Sequence, residues 1–208
     1  AALGRIDQAK VQKADFDEDD WPRFTAAAST LKELPIYVDD TSAQTLAAIT
    51  AKSKREALRL GQLGAIVIDY IGLMKGESPN RVQEIGAISR GLKALAKDLN
   101  CPILELAQLN RNCEDRQDKR PMLADLRDSG DIEQDADVVI MLYRDAAYNP
   151  EGILAQGRVA EILVRKNRHG ELKEMRVYDN LKYARFDNPT HEIYDIREMQ
   201  KTTSKSYS

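Results

Sequence analysis

Apolar positions along the chain follow two different spacings. Val82, Ile85, Ile88, Leu92, Leu95 and Leu99 recur at three- and four-residue steps. That spacing predicts an amphipathic helix from Asn80 to Asn100 with one buried face. Ala65 to Ile68 and Val138 to Tyr143 are instead apolar at every position, as in strands buried on both faces of a parallel sheet. Pro102 to Leu106 and Ala160 to Val164 read as two further strands.

The remaining elements are marked by caps and breakers. An acidic cluster (Asp15, Asp17, Glu18, Asp19, Asp20) precedes Trp21-Pro22 and reads as a solvated helix start, where exposed N–H groups favour negative charge. The helix then runs from Arg23 to Leu34, and Pro35 ends it. Ile36-Tyr37-Val38 predicts a short strand that stops at Asp39-Asp40. Thr41 or Ser42 is the expected cap of a helix reaching about Leu60, with Gly61 and Gly64 behind it. Asn110 to Gln134 is polar and unpatterned; at about 25 residues it is too long for a plain connection, and such loops are usually functional. Met175 to Tyr178, Asp179-Asn180 and Leu181 to Phe186 predict a β-hairpin. A Ser/Thr/Lys-rich end, Lys201 to Ser208, is expected to be disordered. Helices alternating with apolar strands give an α/β domain with a mostly parallel central sheet flanked by helices and a C-terminal hairpin.

Composition narrows the function classes. The 208 residues are 42% hydrophobic and 31% charged, which excludes a disordered or collagen-like chain. No apolar run approaches the roughly 18 residues of a membrane span, so no membrane partner is expected. Ala1 to Gln12 has no signal-peptide core. Two cysteines, Cys101 and Cys113, make neither a disulfide framework nor a metal finger, so a cytoplasmic protein is expected. The net charge of −3 confines any nucleic-acid contact to a local basic feature.

Parallel α/β sheets bind ligands at the carboxyl ends of their strands. The residues just past the apolar runs are Asp69-Tyr70, Gln108 to Arg111, Arg144-Asp145 and Arg165 to Arg168. Carboxylate, amide and guanidinium groups in those places suit a metal-bound polyphosphate, with Asp69 on Mg²⁺ through a water. Taken singly, each has a plainer reading. Asp69 can be a turn former, Gln108 a satisfied polar residue, and Lys166 and Arg168 a solvated pair. Arg127 can pair with Asp125 or Asp128 across a turn. His169 and His191 make no metal site.

In order, however, five segments resemble the bacterial replicative DNA helicase of the DnaB type. They are IVIDYIGLM (66–74), EIGAISRGLKALAKDLN (84–100), PILELAQLNR (102–111), KRPMLADLRDSGDIEQDADVVIMLYRD (119–145) and EILVRKNRHG (161–170). The resemblance runs from about Leu3 to Asn188. It implies a RecA-like P-loop NTPase core over residues 1–188, with 189–208 as a partly disordered tail. Asp69 matches the Walker B aspartate, and Gln108 the glutamine that senses the γ-phosphate. Arg127, Asp128 and Gly130 match the loop that grips single-stranded DNA. Lys166 and Arg168 match the pair that reaches the neighbouring subunit's ATP, Arg168 as arginine finger. The implied machine is a homohexamer that couples ATP hydrolysis with Mg²⁺ to 5′→3′ movement on single-stranded DNA. Primase and a helicase loader are its implied partners, at the replisome and nucleoid.

Three departures from the family pattern stand out. Gly72 replaces a usual Gln, and KNRHG replaces a KQRNG-like run. None of the eleven glycines is followed by Lys, so the phosphate loop G-x-x-x-x-G-K-[ST] is not among these residues. The acidic residue that polarises the attacking water lies near that loop in the family and is missing with it. The expectation is a motor truncated at its N-terminus and inactive alone. Two rival readings remain open: another RecA-like ATPase, and a non-catalytic single-strand-binding or ring-assembly module.

Overall fold

The computed structural model describes residues 1–129 and 132–189. The chain carries six helices among the described residues, α1 (Gln8–Lys13), α2 (Asp20–Glu33), α3 (Leu46–Leu60), α4 (Arg81–Asp98), α5 (Ile132–Asp135) and α6 (Ile153–Gln156). Six strands accompany them: β1 (Ile66–Ile68), β2 (Ile103–Glu105), β3 (Val138–Arg144), β4 (Val159–Asn167), β5 (Lys173–Asn180) and β6 (Arg185–Asp187). β1 and β2 form a parallel pair, and the second sheet has the order β3-β4-β5-β6. β5 and β6 are antiparallel, joined through the 3₁₀ turn Leu181–Tyr183 and Ala184 in the left-handed region. This is the expected α/β architecture with its C-terminal hairpin. The expected tail from Thr190 onward lies outside the described residues. No described helix is long and apolar enough to cross a membrane.

Two compact units emerge among the described residues, one within 40–141 and 164–173, the other within 1–39, 142–163 and 174–189. In the first, α4 is the organising element. The Asn80 side chain accepts from the amides of Val82 and Gln83 and caps it. Its predicted stripe is buried at Ile85, Ile88, Leu92 and Leu95. Ile71, Met74 and Ile132 join the stripe in one core, lined by Leu46, Ile49, Ile68, Ile103 and Ala107. Helix α3 begins later than Thr41 or Ser42 would place it. Thr45 is the cap, its hydroxyl accepting from the Ala48 amide at 3.2 Å. Thr45 also bridges to Lys75, and the Lys75 amide donates to Gln44 O. A tertiary contact, not local propensity, sets this start.

In the other unit, Asp20 at the start of α2 is buried and held by Lys10 and Arg23. The expected solvated start is therefore corrected at this residue, where two cations replace water. Phe16, Trp21 and Phe24 pack ring on ring nearby. Leu154 and Val159 form a small core with Tyr178, whose ring lies under the Arg158 guanidinium at 4.8 Å.

Two other expectations fail. Ile36 to Val38 forms no strand and is exposed; a β-prone run needs an adjacent edge to pair with, and it lies outside both sheets. Strands β1 and β3 are not covered on both faces. Val67 is 60% and Leu104 of β2 52% exposed, and β3 alternates, with Val138, Ile140 and Leu142 open and Val139, Met141 and Tyr143 buried. Successive strand side chains point to opposite faces, and only one face is packed.

Candidate functional site

The parallel register sets the first part of the site. Ile66, Val67 and Ile68 stand beside Ile103, Leu104 and Glu105. The ladder continues past both strands, with the Leu106 amide donating to Ile68 O and the Ile71 amide to Leu106 O, each at 3.0 Å. Asp69 and Gln108 therefore leave neighbouring strands at the same, carboxyl-terminal edge, and both are exposed. The Asp69–Tyr70 peptide is cis.

Beyond Asp69 the chain is fastened to the first turn of α4. Arg81 donates to Gly72 O at 2.5 Å and Met74 O at 3.1 Å and pairs with Glu84. Glu84 in turn accepts from the Gly76 amide at 2.5 Å, and with Arg81 beside it the carboxyl sits below its usual range. A Cβ at Gly72 would strike the Tyr70 ring. Gly72 therefore suits the Tyr70 placement, a physical reason for the departure noted above.

Among the described residues no three His, Cys, Asp or Glu side chains gather as a metal cage. Asp69 is a single open carboxylate. That donor set fits Mg²⁺, which keeps most of its waters and takes one or two carboxylates with substrate phosphates. It does not fit zinc or a calcium cage.

Glu105 escaped the sequence reading, and its only signal there was a carboxylate inside an apolar strand. Burial first, then Asp135, pushes its pKa up to about 7, against the opposing pull of Lys93. Asp135 itself keeps a buried Oδ2 with no hydrogen-bond partner.

Lys166 and Arg168 form a second group. They were expected to follow the fourth strand, yet β4, paired between β3 and β5, continues through Asn167, and Lys166 makes contacts of its own. Its ammonium donates to Glu133 O at 2.5 Å and Gln134 O at 3.2 Å. Arg168 donates through Nη2 to Gln134 O at 2.5 Å and through Nη1 to Asp137 Oδ1 at 3.4 Å. Its backbone N–H also meets Asp137 O at 2.9 Å. Both side chains thus serve the terminal carbonyls of α5, a single turn whose C=O groups lack partners within the helix. The other carboxylate oxygen of Asp137 pairs with Lys93 of α4. The Arg168 side chain remains 44% exposed, so it is not an interior group.

The expected strand-gripping loop is described only in part. Arg127 and Asp128 lie in the 3₁₀ turn Leu123–Ser129; their side chains, and Gly130 altogether, lie outside the described residues. The turn is anchored at Asp125, which is buried and bound by both terminal nitrogens of Arg116 at 2.8 Å each. The Met122 amide adds a third bond at 2.8 Å, and the Asp125 carboxyl is held well below its usual range by Arg116 first. Asn110 donates its amide to Asp125 O at 3.0 Å, so the polar stretch after β2 is closed on itself. Cys113, Pro121 and Leu126 are buried within it.

Comparison with known proteins gives a consistent result. The family described as DnaB-like helicase C terminal domain matches residues 1–188. The replicative DNA helicase DnaB of Buchnera aphidicola subsp. Acyrthosiphon pisum (strain APS) is 41% identical over 198 residues, 94% of this chain and 43% of that protein. The chain thus spans less than half of this curated relative's length. A solved ATPase domain is similar with a TM-score of 0.83 and 34% identity, over 91% of this chain and 68% of that one. The solved structure of a DnaB-like replicative helicase and its interactions with primase aligns at 0.82 and 33%, over 91% and 46%.

Proposed function

Since the chain belongs to the DnaB-like helicase C-terminal domain family, we propose that residues 1–188 form most of the RecA-like motor of an ATP-driven replicative DNA helicase. The rest of the motor, including the phosphate loop, would be supplied by further sequence of the gene product. The observation that carries the reading is the shared edge of β1 and β2, where Asp69 and Gln108 emerge together. Asp69 would hold Mg²⁺ through water, and the bound ion would neutralise charge on the β- and γ-phosphates. Gln108, which follows β2 at the same edge, would meet the γ-phosphate and register its loss.

Lys166 and Arg168 project from a different element and serve the ATP of an adjacent subunit. A cation aimed at the transferring phosphoryl group stabilises the charge it spreads in the transition state. Hydrolysis then depends on assembly, as in a homohexameric ring. Arg127, Asp128 and Gly130 are the DNA-gripping loop: a guanidinium for phosphate, and a glycine that lets backbone N–H groups come close. One basic residue per subunit, repeated round a ring, reconciles strand binding with a net charge of −3. Movement would run 5′→3′ along single-stranded DNA, with primase and a helicase loader as partners in the cytoplasm.

The competing reading is a non-catalytic strand-binding or ring-assembly module, favoured by the lack of any Gly-Lys pair in these residues. Reading the gene upstream of Ala1 separates the two. A G-K-[ST] loop within a few dozen codons, with strand-displacing ATP turnover by the full-length product, supports the motor. An intact upstream frame without that loop overturns it.

A further inference from the structure

A cation that acts on another subunit's nucleotide must be presented from a fixed origin, because misplacing a catalytic group by about 1 Å can cost on the order of 100-fold in rate. Arg168 has such an origin. Its backbone N–H and its Nη1 both meet Asp137, at 2.9 and 3.4 Å, and Nη2 meets Gln134 O at 2.5 Å. The second oxygen of Asp137 is taken by Lys93, so the carboxylate is held from two sides. We infer that Asp137 is the positioning residue for Arg168, with Lys93 of α4 fixing the Asp137 carboxylate in turn.

The charges support the assignment. Lys93 first, then Arg168 and His169, keep the Asp137 carboxyl below its usual range, so it is ionised at neutral pH. A guanidinium carries five N–H donors; Asp137 and Gln134 engage only part of them, and the side chain is still 44% exposed. The anchor therefore orients the group without burying it. As a plain surface ion pair, the contact would contribute little to stability. A positioning role and a structural one thus differ in what a substitution changes.

The inference rests on the reading of Arg168 as the cation offered to the neighbouring nucleotide, and the experiment separates the two. In the full-length protein assembled with single-stranded DNA, Asp137→Asn is compared with Arg168→Ala and with the double variant. The readouts are kcat and KM for ATP, ring mass and melting temperature. Asp137→Asn is expected to lower kcat about 10- to 100-fold, with KM, ring and melting temperature close to the parent's. Added to Arg168→Ala, it should cost nothing more, because its partner is already gone. Normal kcat in Asp137→Asn beside a collapsed Arg168→Ala overturns the positioning role alone, and so do losses that multiply in the double variant. Normal turnover in Arg168→Ala overturns the underlying reading. If Asp137→Asn does not fold, Lys93→Met carries the test, with a several-fold fall in kcat expected and an unchanged kcat overturning the proposal.

Discussion

Arg168 meets Asp137 at both levels of the chain, backbone N–H to carbonyl at 2.9 Å and guanidinium to carboxylate at 3.4 Å. The residue at the end of β4 is thus tied to the segment that leads into β3, while its side chain stays largely at the surface. Such a group can serve a second subunit without unfolding its own. Arg168→Ala in the full-length protein should reduce ATP turnover by about 10³-fold or more. Nucleotide binding and ring mass should stay near the parent's. Loss of the ring instead would make Arg168 an assembly residue.

Arg127 sits in the 3₁₀ turn Leu123–Ser129, which the pairing of buried Asp125 with Arg116 holds in place. Arg127→Ala should weaken single-strand binding and flatten its dependence on salt, because each lost phosphate contact lowers the slope of log K against log salt by about 0.7. A fluorescence titration across salt concentrations reads both quantities. An unchanged slope would remove the turn from the DNA path.

Glu105 predicts a pH profile. Burial and Asp135 raise its pKa from 4.5 to about 7, against Lys93, so the folded chain keeps a proton that the unfolded chain has already lost. Its stabilising contribution is complete below about 4.5, declines as pH rises, and has gone once pH passes about 7. Glu105→Gln is neutral throughout. It should flatten the melting profile across that window and raise stability at pH 8 by on the order of 1–3 kcal/mol. A parent-like slope in the variant would assign the titration elsewhere.

Asp125 carries the reverse sign. Arg116 holds its carboxyl below the usual range, so its contribution is present above about pH 4 and is lost as pH falls through the lowered value. Asp125 is buried while the Arg116 side chain is 29% exposed, so Asp125→Ala, which removes three hydrogen bonds, should cost about 1–3 kcal/mol in denaturant unfolding. A cost under about 0.5 kcal/mol would show that Arg116 finds another partner.

Much of this was legible in the amino-acid order. The three- and four-residue rhythm from Val82 to Leu99 marked α4, and Asn80 is its cap. The apolar runs marked β1 and β3, and the hairpin was expected, but its turn falls at Leu181 to Ala184 and not at Asp179-Asn180, which pair with Phe186 and Arg185 inside the ladder. What failed depended on distant partners. Ile36 to Val38 looks like a strand only until a neighbouring edge is required, and the start of α3 depends on Lys75, thirty residues past Thr45. Glu105 is unremarkable until Asp135 and Lys93 are brought beside it. Resemblance singled out Lys166 and Arg168; their attachment to α5 and Asp137 is a tertiary feature, since no local pattern records which carbonyls a cation will reach.

The locked pairing of β1 with β2, Ile66 beside Ile103 through Ile68 beside Glu105, also constrains how such a chain can change in length. One residue inserted before Asp69 would carry its carboxylate about 3.3 Å along and swing it to the opposite side of the sheet. Gln108 would stay where it was, and the two groups would be parted. Point substitutions near these strands can be absorbed by repacking, but insertions and deletions there cannot. Length variation among functional versions of this chain should accordingly collect away from β1 and β2.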